Sequence, residues 1–194
     1  MFRIAPFCLT LAVALSALLA PAASAETGAQ LGLPGISVPN DPHVNGFRFS
    51  FLYGDNQLME GLDMGLLSLS ETETLSGVQL ILGLGKVNGD MKGGAAFSLV
   101  NIHNGNDSGL NAAFINKVNN AEEAVGIGFV NIASGQTMLD IGGLNMSKSS
   151  TAQLGFINVT DEIRGFQLGF INVAKNGFLP VFPFFNFAMP EGSE

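Results

Sequence analysis

The sequence predicts an all-β fold built from repeats, an antiparallel meander closed as a ~10-strand β-barrel. Three observations carry this. A nine-residue pattern, small-apolar-polar-apolar-small-apolar-apolar-Asn plus one apolar residue, stands twice in tandem as TAQLGFINV and GFQLGFINV, ending at Val159 and Val173. Asn recurs at Asn101, Asn116, Asn131, Asn145, Asn158, Asn172 and Asn186, in steps of 15, 15, 14, 13, 14 and 14. Such a period marks a repeat architecture. Within each unit, apolar residues alternate with small or polar ones, which is the period of a strand. A β-solenoid of ~14-residue coils with a C-terminal aromatic cap is the alternative.

Residues 1–25 read as a secretory signal peptide. Arg3 supplies the charged start, an apolar run follows, and Ala23-Ser24-Ala25 forms a small-x-small cleavage site. Cys8 is the single cysteine and lies inside this segment, so cleavage after Ala25 leaves a chain without thiol chemistry. Removing Arg3 leaves 7 basic against 16 acidic residues, 7 − 16 = −9. An acidic chain of this kind argues against a nucleic-acid partner.

Residues 26–45 hold Pro34, Pro39 and Pro42 and predict an extended leader with little regular structure. Residues 46–187 form a single repeat-built β domain, and 188–194 a C-terminal tail. FRFSFLY, from Phe47 to Tyr53, is the first strand of that domain. Units then begin at Gly61, Gly77, Gly94, Gly109, Ala124, Met138, Thr151 and Gly165. Between them lie polar turns such as NGDMKG, HNGNDSG and NNAEEA, rich in the residues that reverse a chain. Gly155 and Gly169 recur inside strands, which implies close approach of packed neighbours.

Sorting the last unit by parity puts Phe166, Leu168 and Phe170 on one face. Gly165, Gln167, Gly169, Ile171 and Val173 fall on the other. A barrel would turn the large face to outer-membrane lipid and the small-polar face to a lumen. Nine residues at ~3.3 Å, tilted ~40°, reach roughly 23 Å, close to the ~25 Å apolar band. A solenoid would instead turn the large face inward and stack Asn and Gln as ladders, and it must bend within the unit, at Gly169. Against the barrel stand the absence of Trp, the single Tyr, and Pro180 and Pro183 near the last strand. Arg48, Asp63 and Asp140 share the small-polar face and are the candidate lumen residues.

The C-terminal stretch GFQLGFINVAKNGFLPVFPFFNF resembles a family of uncharacterised bacterial surface-repeat proteins, whose repeats read GLQIGLxN and whose chains close on a segment like NGFLPVFPFFNF. The resemblance spans residues 47–187. Ser68 and Leu84 at the Asn position, and Gly143 at a large apolar one, depart from it. It implies a surface or secreted location in bacteria and no activity. The ending FFNF also looks like the aromatic-x-aromatic signal of outer-membrane barrels.

No catalytic constellation is legible. His43 and His103 fall in the leader and in a turn, and read as solvated loop residues. NGNDSG fails as a calcium loop because Ile115 stands where a bidentate Glu belongs. No cofactor or metal is expected, and no enzyme. The expected role is structural: an outer-membrane or surface barrel, or alternatively an exported soluble solenoid that binds or scaffolds at the surface or in the periplasm.

Overall fold

The computed structural model describes residues 26–189. The expected signal peptide and positions 190–194 lie outside the described residues. Seven strands form one sheet system: β1 (Thr27–Leu33), β2 (Ile36–Val38), β3 (His43–Val87), β4 (Met91–Asp107), β5 (Leu110–Ile127), β6 (Val130–Ala174) and β7 (Val181–Phe187). β3 and β6 are each 45 residues long and run without a break through successive coils.

The chain is a β-solenoid of about eight turns, not a closed barrel. β1–β3, β3–β4, β4–β5 and β5–β6 all pair in parallel. The antiparallel meander expected of a barrel is therefore replaced by stacking in register, Asn101 on Asn116 and Asn116 on Asn131. Equal repeats stacked in parallel bring like residues together at every level, which the shared polarity of the units requires. Antiparallel pairing is confined to the two ends. β2 folds back on β1, and β7 on the end of β6 with Leu168 opposite Phe185. These strands close the stack, where an open parallel edge would invite another chain. β7 pairs only with β6, so the aromatic segment is an end cap and does not meet Phe47–Tyr53. Residues 26–45, expected to be irregular, supply β1 and β2 and thus the opposite cap.

Each coil has three sides. The first runs from Gly165 to Phe170 in the last full coil, and the second from Ile171 to Ala174. The third is the polar turn. A corner separates the first two, where consecutive residues both point outward: Phe156 with Ile157, and Phe170 with Ile171. Leu52 and Leu67 at equivalent corners adopt φ of 65° and 49°. This bend, one residue past the Gly169 expected for it, breaks the parity grouping, so Ile171 leaves the face of Gln167 and is exposed.

The orientation of the large face differs from that expected of a solenoid. Met64, Leu80, Ile127, Phe156 and Phe170 point out, and Asp63, Gln79, Asp140, Gln153 and Gln167 point in. Behind the polar third side the usual order returns. Met59, Leu75 and Met91 are buried there, with Val44, Val87 and Ala96, in one small apolar cluster. Val118, Ala121 and Ala124 form a second further along the stack.

Candidate functional site: a polar interior under apolar outer faces

The sequence puts a polar residue at one inward position of nearly every coil, and the interior satisfies these side chains by hydrogen bonds between coils. Asn101 donates through Nδ2 to Asn116 Oδ1 at 3.0 Å. Asn116, Asn131, Asn145 and Asn158 each donate to the next Asn at 2.8 Å. The second amide proton of each ladder Asn goes to a backbone carbonyl at the bend, Ile127 for Asn116 and Leu168 for Asn158. Backbone carbonyls that leave the sheet at a corner and stay buried need a donor, and the Asn amide supplies it. Asn186 keeps the spacing but not the ladder. It sits opposite Gln167 on the returning strand and donates to Leu179 O at 2.9 Å.

Gly169 stacks over Gly155 beside this ladder. A Cβ on either would overlap the carbonyl oxygen of the Gly below, Gly155 or Gly142, and an Asn amide. The requirement for Gly is thus steric, as the strand pattern implied.

Arg48 and Asp63, expected to line a lumen or to stand as solvent-facing charges, instead form a buried ion pair inside a filled coil. Both side chains are fully buried, with Arg48 Nε to Asp63 Oδ1 at 2.8 Å and Nη2 to Oδ2 at 2.7 Å. Ser70 and Gln79 donate to the same carboxylate at 2.8 and 3.0 Å. Donors on every side make such a buried carboxylate tolerable.

Asp140 does not join them. It lies on a distant coil, where Thr137, Ser150 and Gln153 donate to it at 2.7, 3.2 and 3.3 Å. Burial raises its pKa above the ordinary carboxylate range, and these hydrogen bonds counter the rise in part. Gly126 occupies the inward position between Asn111 and Asp140 and leaves a void of about 10 Å³ there.

His103 corrects the expectation of a solvated loop. Its side chain is fully buried, with Nδ1 2.5 Å from Asp107 Oδ2, and Asn111 donates to the same oxygen at 2.8 Å. The missed signal is spacing. His103 stacks between Val87 and Val118 in the parallel register, so it occupies an inward ladder position like its neighbours. His43 is exposed, as expected. No group of three or more His, Cys, Asp or Glu capable of holding a metal occurs among the described residues.

The outer faces carry the other half of the pattern. Phe114 stacks on Phe129 and Phe156 on Phe170, each at 5.2 Å between ring centres with nearly parallel planes. These four rings stand at the corner and are 59–66 % exposed, the reverse of what a water-facing surface favours. The run is interrupted at Gly143, where the ring of Phe129 lies over the vacant position. What the arrangement offers chemically is an apolar, regularly spaced contact surface on a rigid hydrogen-bonded support. Comparison of the chain with protein-family models, with curated proteins and with solved structures found no match.

Proposed function

We propose that this chain is an exported, non-enzymatic β-solenoid acting as a scaffold or binding element at the bacterial surface or in the periplasm. The observation that supports it most directly is the division of labour within the repeat. Inward polar groups from Arg48 to Gln167 are engaged in holding coils together. The outward residues repeat one apolar pattern, which is the arrangement of a contact surface. The small-x-small sequence at Ala23–Ala25 supports export.

Cell fractionation with mass spectrometry of the mature N-terminus tests this reading. The expected result is a chain beginning at Glu26, outside the cytoplasm, without heat-modifiable gel migration. An uncleaved chain in the cytoplasm, or a heat-modifiable band resisting carbonate and urea washes, would sink it.

A further inference from the structure

We propose that the corner formed by the two apolar sides inserts into one leaflet of a lipid bilayer, with the solenoid axis lying along the membrane surface. This deepens the scaffold reading by naming its partner, and it rests on the apolar contact surface contained in that reading.

Charge is segregated by side. The first side carries no outward charged residue on any coil from Phe47 to Phe170. On the second side the outward charges are Asp55, Glu71, Lys86 and Lys117, all in its half next to the polar turn, with Lys86 Nζ 3.5 Å from Glu71 Oε1. The acidic residues Glu73, Glu122, Glu123, Asp161 and Glu162 lie on the third side, away from the corner. Lysines at the rim of an apolar wedge reach the headgroup level while their stems remain in the apolar layer.

The dimensions fit one leaflet. Five residue steps from Gly165 to Phe170 span roughly 17 Å along the slope, against about 15 Å for half of a ~30 Å hydrocarbon core. Most inward polar groups are paired to one another, and unpaired atoms such as Gln79 Oε1, His103 Nε2, Asn111 Oδ1 and Gln167 Oε1 lie buried inside the coils rather than on the faces of the wedge. Its polar side chains are withdrawn from the two faces that would meet lipid, as a non-aqueous medium requires.

A second copy fits less well. About eight turns at ~4.8 Å give a stack of roughly 38 Å. The first side then offers roughly 650 Å², near the low end of the ~600–1,000 Å² per partner of a stable pair, and the second roughly 380 Å², below it. The two sides meet at a corner, so one flat partner covers only one of them. Fluid acyl chains cover both.

The absence of Trp allows a direct test with the purified mature chain and neutral phosphatidylcholine vesicles. Phe156→Trp places a probe at the corner and Lys175→Trp one on the polar side. The expected result is flotation with vesicles, a blue shift of the corner probe, and its quenching by acyl-chain-brominated lipid, with the polar probe unaffected. Replacing Phe156 and Phe170 together by Glu should cut the bound fraction at least about tenfold, since each loses the transfer of a large apolar side chain. Retained β-type circular dichroism would show that these outward changes leave the fold intact. Absence of flotation and quenching in the folded protein overturns the proposal. So does a corner probe already shifted without lipid in a sedimenting oligomer, which would assign the faces to further copies of the chain. A chain that binds vesicles yet is never exported would sink the scaffold reading and leave this one standing.

Discussion

The first coils and the last coils fill the same interior by different chemistry. Around Arg48, one guanidinium and one carboxylate organise the site, and Ser70 and Gln79 converge on Asp63. From Asn101 to Asn172 one ladder Asn stands in each coil, and each but the last gives a proton to the next. The ionic cluster concentrates its stability in a few groups that cannot be lost singly. The ladder spreads it, because each Asn serves only its neighbour and one bend carbonyl. In a stack where coils touch only adjacent coils, a local defect weakens two interfaces and leaves the others intact.

The comparison is most sharply broken at its ionic end. Asp63→Ala leaves Arg48 charged and buried without a counter-ion. We expect a loss of about 3–5 kcal/mol in chemical denaturation. Replacing Arg48 and Asp63 together by Met and Leu should recover most of that loss. A double variant as unstable as Asp63→Ala would mean that packing, not the unpaired charge, sets the effect.

At mid-ladder, Asn131→Leu strands the Asn116 amide and the Ile141 carbonyl, at a cost of about 1–3 kcal/mol for each group. The same change at Asn172, next to the cap, should chiefly raise hydrogen exchange in the last coil. Equal global destabilisation from both would show that the stack unfolds as one unit.

Gly169→Val should cost about 1–3 kcal/mol by overpacking against Gly155 and Asn158, and should lower folding yield. Lys175→Ser removes only an exposed pair with Asp161, and should change stability by less than about 0.5 kcal/mol. Equal yields for these two variants would remove steric demand as the reason for Gly.

The smallest effect is pH-dependent. The Asp140 pKa is raised in the folded chain, so the folded state favours its protonated form. Stability from this group is present below the unfolded pKa of about 3.9 and declines as pH rises from there to the folded value. Asp140→Asn should flatten that slope in thermal melts at graded pH. An unchanged slope would assign the pH dependence to other carboxylates.

Much of the local structure was legible. Period-two alternation gave strands, the Asn spacing gave the repeat, and the need for a bend within the unit was legible, although it falls between Phe170 and Ile171, one residue past Gly169. Sequence alone also grouped Arg48 with Asp63 on one face. It did not separate Asp140 from them, because parity says which side of a strand a residue occupies and not which coil it meets. His103 was hidden for a related reason. Asn, Gly and Asp around it resemble turn chemistry, and only the stacking of Val87, His103 and Val118 shows that it faces inward.

The sequence by itself determined the alternation, the period and the segregation of large apolar from small polar side chains. A barrel and this solenoid share that alternation and turn the same residues outward, so the pattern could not choose between them. Tertiary structure decided the pairing direction and the orientation of the faces. Parallel stacking brings each Asn onto the next, and the corner leaves carbonyls that only an inward amide can reach. With Gly at the bend and Gln, Asn and Asp beside it, the interior of a coil has no room for Phe156 or Phe170, and the rings stand outside.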